Sequence, residues 1–139
     1  MKPALDEALA AERALSHALR AVGEHHRDDH DIFHMTRTLA AWSERNAERL
    51  ERCGAEAGVP PEVVFNDGPL ALVLDLRDVH LVATRASVAW TVLGQGAQAV
   101  RDAELLDTVT ASHPETIRAM RWALQRLKEA TPQLIAGER

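Results

Sequence analysis

The chain has 139 residues, 46% of them apolar and 27% charged, and its 21 acidic against 16 basic side chains leave a formal charge of −5. That size supports one domain with a core of its own, and the composition excludes a disordered chain. The acidic balance, with no Lys/Arg block, excludes capture of nucleic acid or an anionic membrane by the overall field, and no charge-free apolar window of about 18 residues exists to span a bilayer.

A lone cysteine, Cys53, rules out an intrachain disulfide and a thiolate zinc cluster. Together with an N-terminus that turns amphipathic at once, it predicts a cytoplasmic protein. Ala, Leu, Arg and Glu dominate, all good helix formers.

The first helix is predicted from about Pro3 to His26, with Leu5, Ala8, Glu12, Leu15, Leu19 and Val22 on one face. Glu24 to Asp31 holds no apolar residue and marks a tight turn, with Asp28 or Asp29 capping the second helix. That helix presents Ile32, Met35, Leu39, Trp42 or Ser43, Asn46, Leu50, Cys53 and Ala57, and Gly58, Pro60 and Pro61 end it. Val63-Val64-Phe65 is an apolar patch expected to cover one end of the bundle, and Asn66-Asp67-Gly68-Pro69 leads into the third helix, with Asn66 or Asp67 as its cap.

The third helix, Pro69 to Ala99, carries two stripes. Leu72, Leu76, Val79, Ala83, Ala86, Trp90, Leu93 and Ala97 form the inner one. Leu74, Leu81, Val88 and Val92 lie nearly opposite and are expected either to widen the core or to face a second copy or a protein partner. The fourth helix begins near Asp102, whose side chain can cap it, and shows Leu106, Val109, His113, Ile117, Met120, Leu124 and Leu127 on one face, with a kink or break expected at Pro114. Trp122 falls off that face and is a further interface candidate. The whole chain, 1–139, is thus expected to be one all-α domain, an up-down-up-down four-helix bundle.

Two groups of residues invite chemistry. His25, His26, His30 and His34, interspersed with Asp28, Asp29 and Asp31, supply the ligand types of a divalent transition metal at the corner between the first two helices. The wheel of the second helix nevertheless puts His30 and His34 on its wet face. Glu12, Asn46 and His113 interrupt otherwise apolar stripes and are expected to form a buried polar network that fixes helix register. His80, with Asp75 and Asp78 nearby, reads as polar surface. No Glu-x-x-His occurs, which argues against a carboxylate-bridged diiron pair, and no phosphate-binding Gly-rich loop, Cys-x-x-Cys or His-Glu-x-x-His is present.

Phe33-His34-Met35-Thr36-Arg37-Thr38-Leu39-Ala40-Ala41-Trp42-Ser43 and Ser112-His113-Pro114-Glu115-Thr116 resemble short segments of uncharacterised helical proteins from actinobacteria, which are similar in outline to ferritin-like bundles. The resemblance implies the bundle fold. It implies no metal ligands, because the Glu-x-x-His pattern has no counterpart here.

The sequence therefore points first to a noncatalytic interaction or scaffolding bundle, homo-oligomeric through the third helix. The alternatives are a metal-binding ferritin-like protein using the His/Asp-rich corner, and a binder of a small apolar or haem-like ligand anchored at His113.

Overall fold

The structure is a computed structural model that describes residues 1–137. It contains four helices: α1 (Lys2–His25), α2 (His30–Arg52), α3 (Ala71–Ala99) and α4 (Ala103–Gly137). Among the described residues, no helix is long and apolar enough to cross a membrane. The Asp29 carboxylate accepts from the Ile32 amide (3.2 Å) and so caps α2. Asp102 caps α4 in the same way, accepting from the Leu105 amide at 3.0 Å. α2 stops at Arg52, ahead of the Gly58–Pro61 signal, where Gly54 takes a positive φ of 95°. α3 begins at Ala71 without a side-chain cap. Asn66 and Asp67 do not fill that role; Asn66 is drawn instead to Asp75.

The pairs of residues that meet fix the direction of each helix. Arg20 grips Glu44 and Arg13 meets Glu51, so α1 and α2 are antiparallel. His26 meets Asp75 and Arg85 meets Glu7, so α3 also runs antiparallel to α1. His80 contacts Met120 and Ser87 contacts His113 across α3 and α4, while Asn46 meets Ser112 across α2 and α4. Contacts run between α1 and α2, α2 and α4, α4 and α3, and α3 and α1. Directions therefore alternate up, down, up, down around the ring.

The chain does not visit that ring in order. α2 and α3 lie on a diagonal and both run downward, so residues 53–70 must climb the length of the bundle between them. This crossover is tied down at its lower end by Lys2 Nζ donating to the Gly54 carbonyl (2.9 Å) and the Glu56 amide donating to Asp6 (2.8 Å). Val63 and Phe65 pack on the core while Val64 is exposed, so the patch lies along the α1–α3 side.

The inner faces of α1, α2 and α3 follow the predicted stripes: Leu15, Leu19, Ile32, Leu50, Leu76, Trp90 and Leu93 are fully buried, and Leu9, outside the predicted stripe of α1, is buried with them. Two expectations for α4 fail. The helix is continuous from Ala103 to Gly137 with Pro114 and Pro132 inside it, and nothing marks a kink or break at Pro114. Contacts on both sides of that proline, from His113 to Ser87 and from Met120 to His80, hold the helix against α3 despite the missing amide. The buried face is also turned about one residue from the predicted one. Leu105, Val109, Ser112, Thr116, Ala119 and Ala123 are inside, whereas Ile117 and Met120 are half-buried and Leu124 is exposed. At Gly94 a Cβ would lie 3.2 Å from Val109 Cγ1, so α4 approaches α3 closely there.

Close approach also governs α1 and α2. A Cβ on the buried Gly23 would lie 2.9 Å from the Thr36 Cβ and collide with its hydroxyl. Gly23→Ala is therefore expected to destabilise the fold by about 1–3 kcal/mol, as overpacking does. Urea denaturation checks it, and the double variant with Thr36→Ala should recover only part of the loss, because alanine keeps the Cβ contact at 2.9 Å.

Candidate metal centre

Three segments meet at the upper end of the bundle: the last turn of α1, the top of the crossover and the second turn of α3. Asp75 points into this junction and is 1% exposed. Asn66 holds it there, its backbone amide and its side-chain Nδ2 each donating to Asp75 Oδ1 at 2.8 Å. The same Nδ2 donates to Asp78 Oδ2 at 2.8 Å. His26, at the C-terminal cap of α1, sets Nε2 2.7 Å from the other Asp75 oxygen. His25 stacks flat on Phe65, centroids 4.0 Å apart, and meets His26 edge-on.

One ligand atom from each of His25, His26 and Asp75 lies within 4.8 Å of the others. Two imidazoles and one carboxylate suit a single divalent transition ion with positions left open for water or another ligand. A carboxylate-bridged diiron centre needs a larger set, with acids from facing helices, and this cluster is not one. Asn66 acts on the oxygen that does not face His26, an outer support of the kind that orients metal-binding carboxylates.

Of the four predicted histidines, the structure brings His25 and His26 into the cluster. His30 and His34 are exposed on α2 and lie outside it. Asp75, expected at the surface, is instead the buried member. The signal was present: Asp75 falls three residues after Leu72 and four before Val79, on the inner stripe of α3. Its polarity masked its position.

The polar residues of the core are distributed differently from the predicted network. Glu12 is fully buried at mid-bundle. Trp90 Nε1 donates to its Oε1 at 2.7 Å, and the Thr116 hydroxyl donates to the same oxygen. Ser43 Oγ contacts Oε2 and lies 3.0 Å from the Glu12 backbone carbonyl. One carboxyl group thus joins α1 to all three other helices. Asn46 reaches the Ser112 carbonyl (3.5 Å) and accepts from Arg49 (3.0 Å), while His113 pairs with Ser87 (2.9 Å). No hydrogen bond among the described residues links Glu12, Asn46 and His113.

Burial raises the Glu12 pKa above its usual 4.5, the hydrogen bonds with Ser43, Thr116 and Trp90 oppose this in part, and the charge of nearby Glu115 adds to the rise. A protonated Glu12 satisfies every atom of the group. Oε2–H donates to Ser43 Oγ, Ser43 donates to the Glu12 carbonyl, and Oε1 accepts from Trp90 and Thr116. Burial alone lowers the pKa of His113 below 6.5. His113 lines an open groove of about 390 Å³ between α3 and α4, beside Trp90 and Pro114.

His80 Nδ1 lies 2.8 Å from the Met120 carbonyl and joins α3 to α4. Leu81, Val88 and Val92 are 57%, 58% and 54% exposed. Leu74 is half-buried, and Trp122 packs partly against the core. Comparison with protein-family models, curated proteins and solved structures returns no match.

An acid whose folded pKa is raised gives stability that is complete below its unfolded value, near 4.5, and is lost as pH rises through the folded value. Glu12→Gln keeps the donors and acceptors of the neutral acid, so its stability relative to wild type should grow between pH 4.5 and 8. Glu12→Ala strands the Trp90 and Thr116 donors and should cost about 3 kcal/mol or more at pH 5. Urea midpoints at pH 4.5, 5 and 8 measure both; a Glu12→Gln protein whose stability relative to wild type stays flat over that range would show the acid ionised in the fold.

Proposed function

We propose that this protein is a metal-binding helical bundle that holds one divalent transition ion through His25, His26 and Asp75. The observation that carries this reading is the buried, Asn66-anchored Asp75 carboxylate facing two imidazoles. A carboxylate this deep in a protein needs compensation, and an ion would add a positive charge to what the two Asn66 hydrogen bonds and the His26 contact supply. His25 is exposed and free to turn from Phe65 toward the ion, which would give solvent or a small ligand access to the open positions. The single crossover is the connection used by ferritin-like bundles. It supports an architectural relation to them without their ligand set.

Titration of chelator-treated protein with Zn²⁺ or Co²⁺, with elemental analysis after dialysis, tests the reading. One ion per chain is expected. His25→Ala, at an exposed position, and Asp75→Asn should each weaken binding by roughly tenfold or more, whereas His30→Ala and His34→Ala should leave it unchanged. Binding that survives His25→Ala but disappears with His30→Ala would move the site to α2 and sink the assignment.

A second reading, an interaction protein paired through α3, is favoured by the exposed Leu81, Val88 and Val92. The expected result is a mass by light scattering that doubles with concentration and returns to one chain in Val88→Glu. A strict monomer at millimolar concentration would end it.

A further inference from the structure

A second feature lies beside the metal cluster. The crossover does not lie flat on the bundle: between it, α1 and α3 is a cavity of about 270 Å³. Its walls are aliphatic, made chiefly by Ala18 and Val22 of α1, Val63 of the crossover, and Val79 and Val82 of α3. Its polar lining consists of Asp75, Asp78 and Glu62, all acidic, with no basic residue and no aromatic ring. The two aspartates lie together at the upper end, next to Val22, while Ala14 and Val82 mark the lower end.

We propose that this cavity binds a short, unbranched aliphatic amine, with its ammonium group at Asp78 and Asp75 and its alkyl chain running down between α1 and α3. Four properties of the pocket select that chemistry. The volume is just under the usual range of roughly 300–1,000 Å³ for ligand pockets, so the ligand is small. Alanine and valine walls reward burial of methylene groups. Three carboxylates repel a fatty acid or a phosphate of the same size. The lack of aromatic faces removes the cage that quaternary ammonium groups use and leaves a primary ammonium, whose three N–H donors match carboxylate acceptors.

The existing partners of the aspartates leave room for such a group. Asp75 accepts twice from Asn66 and contacts His26, which leaves about one of its acceptor positions, and Asp78 accepts from Asn66 and Arg77. Each carboxylate has about four acceptor positions, and the Asp78 side chain is 40% exposed. The bond between Arg77 and Asp78 joins sequence neighbours at the surface, and Arg77 does not line the cavity.

This inference goes beyond the metal reading and does not need it, so its test uses the full chain stripped of metal with chelator. Calorimetric titration compares n-pentylamine, n-pentanol and n-pentanoate at one ionic strength. The amine should bind at least tenfold more tightly than the alcohol, and the carboxylate not at all. Asp78→Asn should remove most of the preference for amine over alcohol. Ala14→Leu, at a half-buried wall position, should reduce binding of both ligands with the helix content unchanged by circular dichroism. Equal binding of amine and alcohol, or an amine affinity indifferent to both substitutions, overturns the proposal. Loss of metal binding in a protein that still takes the amine would count against the metal centre alone.

Discussion

The carboxyl group of Glu12 hydrogen-bonds Ser43 of α2, Trp90 of α3 and Thr116 of α4. Apolar faces in a bundle tolerate sliding, because leucine and alanine pack nearly as well one turn along. A buried carboxyl does not. A shift of any partner helix by one turn, about 5.4 Å, would remove a donor and expose the group to the cost of an unpaired polar atom. Each hydrogen bond contributes only about 1 kcal/mol net. The larger effect is therefore on which alignment is permitted, and the helix-end contacts depend on that alignment.

Among these is the junction of His25, His26, Asn66 and Asp75. It exists because the chain takes the ring out of order. With α2 and α3 on a diagonal and parallel, residues 53–70 have to pass along the bundle instead of turning tightly at its end. Connections this long and without secondary structure are uncommon and usually functional. Here the crossover supplies Phe65 under His25 and Asn66 against Asp75, and it roofs the aliphatic cavity. A bundle of these helices joined by short turns alone would lack all three.

Much of this was legible in the sequence. The three-and-four spacing of apolar residues located four helices, and the caps at Asp29 and Asp102 were readable because each precedes a periodic run. The buried faces of α1 and α3 followed directly. On α4 the large residues misled: Ile117, Met120 and Leu124 suggested a face that Ser112, Thr116, Ala119 and Ala123 occupy, since close helix approach favours small side chains over greasy ones. Spatial order lies beyond a helical wheel, which says what a helix buries but not against which neighbour. Glu12 and Asn46 were recognised as inward, yet their partners depend on that order, so Thr116 and Trp90 could not be paired with Glu12 in advance. The metal candidates were half legible for the same reason. His25 and His26 stand out in a polar turn, but Asp75 joins them only across the crossover, from a position whose charge suggested solvent.

Asp75 belongs to two environments at once. It faces the imidazoles on one side and forms part of the wall of the aliphatic cavity on the other. A cation held by the histidines would neutralise the charge that an ammonium group at the cavity mouth would use, and an ammonium group would weaken the attraction of the carboxylate for a metal ion. Reciprocity requires the two effects to be equal in free energy. The Asn66 contacts supply the means of transmission: the side-chain amide that holds Asp75 also holds Asp78, so a movement of either carboxylate is felt by the crossover that carries Phe65 and roofs the cavity. Metal and amine would then compete at one end of the bundle, while the interior layer around Glu12 keeps the rest of the fold in register.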